Sequence, residues 1–200
     1  KSYGGIIMTG QQLKNSILQM AVQGKLVPQD PNDESASVLL ERIRKEKEQL
    51  IKEGKIKKEK NPSYIFRGND NLPYEKVGNN EPVCIADEVP FDIPDSWEWV
   101  RISEICNIIN GFTPLRTNEE FWNNGTIPWF TVDDIRSQGR RITHTEQAIN
   151  TCALGEKTNR IIPSNTVLLC CTASVGEYAI TDIPLTTNQQ FNGLVIKEYW

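Results

Sequence analysis

The densest group of anion-gripping side chains in this 200-residue sequence is Arg136-Ser137-Gln138-Gly139-Arg140-Arg141. Guanidinium forks suit phosphate oxygens, Gln and Ser can pair with base edges, and the glycine lets an exposed loop approach closely. The same six residues would also suit a solubilising hairpin tip. A second set is the turn at residues 113–118, which holds Arg116 and Asn118. Lys157 and Arg160 are further candidates for phosphate contact, and Asn188, Gln189 and Gln190 form an amide-rich triplet.

Groups that could carry catalysis fall short. Asp133-Asp134 lacks the nearby lysine that a metal-dependent nuclease pair needs, and a turn or cap role for Asp134 ahead of Ile135 fits better. Ser174 sits in Ala-Ser-Val-Gly without a nucleophile elbow, and His144, the only histidine, has no triad partner in view. Asn61-Pro62-Ser63-Tyr64 looks like the amine-gripping loop of amino-methyltransferases, but it follows the charged stretch 55–60 instead of a buried strand. No glycine-rich cofactor loop occurs. Five cysteines (Cys84, Cys106, Cys152, Cys170, Cys171) form no C-x-x-C pair, so no metal site is expected, and reduced, mostly buried thiols are. The sequence therefore predicts a chain that is not itself an enzyme and binds no cofactor or metal.

A net charge of −4 argues against bulk attraction to nucleic acid. Its distribution says more. Residues 8–61 hold eleven Lys/Arg against eight Asp/Glu, residues 62–100 two against eight, and residues 101–200 eight against ten, so any basic surface must be a local patch. Hydrophobic residues at 38% allow a packed core, and no long apolar run or signal region occurs, which points to a soluble, cytoplasmic protein. Met8 could be a native start, with residues 1–7 a remnant or tail.

Elements to position these groups fall into three regions. Residues 8–61 read as helical. Leu13, Ile17, Met20 and Gly24 step like an a/d seam, and Gly24, Pro28 and Pro31 stop that helix. Asp33 is the expected N-cap of a second helix, on which Leu40, Ile43, Lys47 and Leu50 form a narrow stripe flanked by i,i+4 charge pairs. Such a stripe suits a partner helix in a coiled coil, or packing on its own domain. Residues 62–90 read as an acidic, turn-rich connector with extended segments near 64–67 and 82–85. Residues 91–200 read as mixed α/β. Strands are expected at 97–101, 178–181 and 193–197, a short apolar run at 127–131, helical spacing at 102–109, and a strand buried on both faces at 166–172. The chain stops immediately after the last of these strands, so the final domain is expected to be truncated.

Several uncommon segments then follow one another in a fixed order. They are Leu13 through Gln29, Leu39 through Glu48, Ile93-Pro94-Asp95-Ser96-Trp97-Glu98-Trp99-Val100, and Asn110-Gly111-Phe112-Thr113-Pro114. Phe121-Trp122 with Gly125, Ile127-Pro128-Trp129, Asp133-Asp134-Ile135, Ala173-Ser174-Val175-Gly176 and Thr187 through Phe191 complete the series. From Met8 onward this resembles the DNA-specificity subunit of type I restriction–modification systems, or its N-terminal half. The resemblance implies an α+β fold, with coiled-coil-forming helices followed by a target-recognition domain for one half of a split double-stranded DNA site. It implies that methyltransferase subunits dock on the helices and that a restriction subunit is recruited indirectly. It implies also that an isolated fragment could self-associate through its helices. Residues shared by relatives that read different sites cannot supply the difference. Asn188 and Gln189 are thus assigned a common task, and Trp122, Pro128 and Trp129 are assigned to the core. The rival functions are a stand-alone DNA-modifying enzyme and a helical protein-interaction module.

Overall fold

In the computed structural model, which describes residues 8–155, 158–198 and 200, Thr9 and Gln12 close a reciprocal capping box at the start of helix α1 (Gly10–Val22). The chain divides into two units, one ending at Glu104 and the other beginning at Ile105. In the first unit α1 buries none of its residues: Leu13, Ile17 and Met20 are 43–52% exposed. Gly24 ends the helix in the left-handed region, at φ +65°.

Asp33 is not the N-cap of the second helix. Its N–H closes a turn onto Asp30 O at 3.1 Å, and α2 (Ala36–Lys52) starts after an extended Ser35 whose side chain makes no cap bond. The freed Ala36 N–H instead donates to Ser96 O at 2.8 Å, so a distant segment satisfies the helix start. Leu40 and Ile43 are buried, and Arg44 lies 5.1 Å from the Tyr64 ring centroid. The stripe of α2 is therefore covered within the chain, and α1 is the helix with an uncovered apolar face. Of the expected i,i+4 pairs, Glu41–Lys45 forms at 2.6 Å, while Arg42 and Arg44 turn to Glu34 and Glu104.

The stretch from 62 to 90 holds a three-stranded antiparallel sheet, β1 (Ser63–Arg67), β2 (Pro73–Val77) and β3 (Val83–Cys84), in that order. Strand β2 carries no apolar alternation, which is why periodicity misses it. No strand forms at 97–101. Trp97 sits in a turn closed onto Pro94 O, and its indole N–H donates to Gln29 Oε1 at 2.9 Å. Gln29 also accepts from Ser96 Oγ and donates to Gly24 O, so one side chain ties the helix-stop segment to the Ile93–Val100 segment.

Glu75 on β2 accepts Arg101 Nε at 3.1 Å and Nη2 at 2.5 Å, and the hydroxyl of Ser63 as well. The Arg101 guanidinium, and after it Ser63, holds this carboxyl below the usual carboxylate range. A depressed native value means stability that is present above the unfolded pKa of about 4.3 and lost as pH falls through the native value. Glu75→Gln should flatten the loss of thermal stability of this unit between neutral and strongly acid pH. An acid limb as steep as the parent's would count against the ion pair.

The single turn α3 (Ile102–Ile105) spans the boundary between the units and leads directly into β4 (Cys106–Asn110), the first strand of the second unit. The helical spacing at 102–109 is overridden by sheet pairing: β4 lies antiparallel along β11 (Phe191–Ile196), with Ile108 opposite Leu194. Continuing the chain are β5 (Ile127–Phe130), α4 (Val132–Gln138), β6 (Arg141–Ile142), β7 (Gln147–Ile149), β8 (Thr166–Cys170), β9 (Tyr178–Thr181) and β10 (Thr186–Thr187). A five-stranded mixed sheet has the order β4-β11-β8-β9-β6, and a three-stranded one β10-β5-β7. Phe130, Ile142, Leu168 and Phe191 build the main core, with Phe130 and Phe191 edge-to-face at 4.8 Å. Phe112, Trp129, Ile149 and Leu154 make a second cluster, against which Trp122 packs. Central strand β8 is buried on one face only, since Thr166, Leu168 and Cys170 point inward while Val167 is exposed. Cys84, Cys152 and Cys171 are exposed, leaving Cys106 and Cys170 as the buried thiols.

Thr186 is fully buried, yet its hydroxyl has no hydrogen-bond partner among the described residues. An unpaired buried hydroxyl is costly, so Thr186→Val should raise the urea midpoint by the equivalent of up to about 1 kcal/mol. A lowered midpoint would mean that the hydroxyl is bonded in solution.

Candidate nucleic-acid interface

The arginine-rich stretch is not a free loop. Thr131 and Asp134 form a capping box that starts α4, and Arg136, Ser137 and Gln138 make up its last turn. Gly139 then turns the chain at φ +86° into Arg140 and β6. Asp134 is buried, and its two oxygens accept Thr131 N at 2.7 Å and Glu146 N at 2.8 Å. The Asp133-Asp134 pair is thus divided: one carboxylate braces the backbone and the other meets Arg136 at 2.7 Å.

Parallel pairing of β6 with β9 decides where the next two arginines lie. Arg140 Nη1 donates to the Tyr178 hydroxyl at 2.6 Å, with the guanidinium 4.1 Å from the ring centroid. Arg141 forms a two-pronged pair with Asp182, at 3.0 and 2.7 Å. The side chains of Arg136 and Arg141 are each 68% exposed, so neighbours orient both cations without hiding them. An ion pair this open stabilises the fold by about 0–1 kcal/mol, little enough for a phosphate to displace it.

Other predicted site residues have structural employment. Ser137 Oγ donates to Asp134 O. Gln138 uses both ends of its amide: Oε1 accepts Thr143 N at 3.0 Å and Nε2 donates to His144 O at 2.9 Å. Asn118 caps the short turn Glu119–Phe121 by accepting Glu120 N. Arg160 donates to Gly111 O at 3.3 Å and lies 5.4 Å from the Phe112 ring centroid, as a partly buried brace. Lys157 lies outside the described residues. Arg116 is exposed, lies 3.8 Å from the Trp122 centroid and 4.5 Å from that of Trp129, and donates to Gln147 Oε1 at 2.7 Å. Asn188 caps its own turn by accepting Gln190 N, and Gln189 accepts the Thr113 hydroxyl.

The structure thus gathers Arg136, Arg140 and Arg141 along one helix-to-strand connection and gives Ser137, Gln138 and Asn118 bracing hydrogen bonds to the backbone. Sequence reasoning missed Gln147, Tyr178 and Asp182. For the latter two, only the expected strand at 178–181 hinted that they bracket a β-strand, and nothing local indicated which strand it would meet. Among the described residues no helix is long and apolar enough to cross a membrane.

The family described as "Type I restriction modification DNA specificity domain" matches residues 94–199. The chain is similar to the EcoprrI specificity subunit of Escherichia coli, at 43% identity over 101 residues covering 50% of this chain and 25% of that protein. It is similar also to the E. coli EcoAI specificity subunit, at 49% over 100 residues (50% and 14%), and to EcoEI, at 47% over 116 residues (55% and 16%). It therefore spans a quarter or less of the length of these relatives. A solved HsdS subunit from Thermoanaerobacter tengcongensis aligns with a TM-score of 0.41 at 22% identity, over 55% of this chain and 26% of that one.

Proposed function

The chain belongs to the type I restriction modification DNA specificity domain family, and from that premise we propose that it is part of a specificity subunit reading one half of a split double-stranded DNA site. The observation that carries this reading lies inside the matched residues: Arg140 and Arg141 are held by Tyr178 and Asp182, with Arg141 largely open to solvent. That is an oriented local basic patch on an acidic chain, the form a phosphate contact must take here. In this reading the chain works in the cytoplasm, catalyses nothing itself and needs no cofactor. It positions methyltransferase subunits, through which a restriction subunit joins. The uncovered Leu13, Ile17 and Met20 face of α1 supports helical docking of such a partner or self-association.

Duplex binding by the full-length protein should weaken steeply between about 50 and 200 mM salt. A flat response would favour the protein-interaction module instead. Adenine methylation by the purified protein without a modification subunit would favour a stand-alone enzyme.

A further inference from the structure

We propose that the open cleft between the loop at residues 113–118 and β7 is a base-edge reading site, in which Gln147 presents the reading donor and Arg116 positions it. This rests on the DNA-reading assignment above and adds to it a place and a polarity. The cleft has a volume of about 390 Å³, and its lining mixes a guanidinium (Arg116), amides (Asn123, Gln147) and carboxylates (Glu119, Glu146). Two carboxylates would repel a phosphate. A base edge, by contrast, offers donors and acceptors side by side and is served by such a mixture.

The cleft is also stiff. Trp122 and Trp129 meet edge-to-face at 5.1 Å and 89°, and Arg116 lies against both rings. Trp129 is buried and donates to Phe112 O at 2.9 Å, while Trp122 donates to Leu115 O at 3.1 Å. The platform thereby holds the backbone of the very loop that carries Arg116. Groups fixed in advance lose little freedom when a ligand arrives.

Polarity follows from the chemistry of the contact. Arginine has donors and no acceptor, so the amide atom facing Arg116 Nη1 at 2.7 Å must be the oxygen of Gln147. Nε2 is left as the free end, without a protein partner among the described residues. A glutamine held this way turns its two N–H donors toward the ligand. It suits major-groove acceptors, namely guanine O6 or N7, adenine N7 or thymine O4. At Gln138, by contrast, both ends of the amide are tied to neighbouring backbone, Nε2 to His144 O and Oε1 to Thr143 N.

The test uses the full-length protein and a randomised duplex library, with the bound fraction sequenced. Gln147→Ala should lower selectivity about tenfold at one base pair or two adjacent ones and leave the rest of the enriched motif in place. Gln147→Glu exchanges the donor for an acceptor and should shift preference there toward pairs presenting cytosine N4 or adenine N6. Arg116→Lys keeps the charge but loses the flat stack, and should blur the same base pair. An unchanged motif in all three variants overturns the proposal, and so does a uniform fall in affinity that spares the motif. A wild-type protein that enriches no motif overturns the DNA-reading assignment together with it.

Discussion

Gly111→Ala is expected to destabilise the second unit severely. A Cβ at this position would stand 1.9 Å from Asn188 O and 2.1 Å from Thr187 Oγ1. The first of these is a backbone atom and cannot swing aside as a long side chain would. Around it the Gly111 and Phe112 N–H groups donate to Phe191 O and Thr187 O, so any retreat breaks ladder bonds between two segments about eighty residues apart. Overpacking costs about 1–3 kcal/mol where a core can yield, and a rigid backbone contact belongs above about 4 kcal/mol. That is a large share of the 5–15 kcal/mol on which an ordinary domain stands. For a unit of this size the melting temperature should fall by roughly 15 °C or more. Gly10→Ala, where an added Cβ meets no atom within 4 Å, is the matched control and should melt close to the parent. A Gly111→Ala protein that also melts within a few degrees of the parent would mean that this junction is looser than described.

Removing both Arg140 and Arg141 is expected to have the largest effect on binding. Each contact between an arginine and a phosphate contributes about one unit to the slope of log affinity against log salt. Arg140→Ala with Arg141→Ala should therefore reduce that slope by roughly two and weaken all duplex sequences alike, leaving sequence preference unaltered. Stability should scarcely change, because the Arg141–Asp182 pair is open to water and Arg140 rests on a partly exposed tyrosine. A full-length double variant with the parent's salt slope would place the phosphate contacts elsewhere. The outcome also separates the patch from the Gln147 cleft, where the expected change is in preference and not in slope.

Much of the local structure was legible. The stop at Gly24, the Asp134 cap, the strand at 178–181 and the packing of Trp129 all depend on residues within a few positions of one another, and on hydrophobicity. The strand at 73–77 was hidden because its side chains are all half-buried and show no alternation. The start of α2 was misplaced because its first N–H is satisfied by Ser96 and not by a local cap. The coverage of its apolar stripe was not legible either, since a stripe shows that a face must be buried without showing by what.

The arginine-rich hexapeptide was found by composition alone, and composition determined that any basic surface would be a small patch on an acidic chain. Only the tertiary structure decided which members of that patch remain available. Parallel pairing of β6 with β9 brings Arg141 to Asp182, forty-one positions along the chain, and Arg140 to Tyr178. Gln138 and Gln147 are the same residue type in similarly polar surroundings. One has both ends of its amide bonded to backbone and the other has one end bonded to an arginine. The physical reason is that periodicity and capping act over a turn or two, whereas a polar side chain's partners are chosen by whichever strands the fold sets beside it.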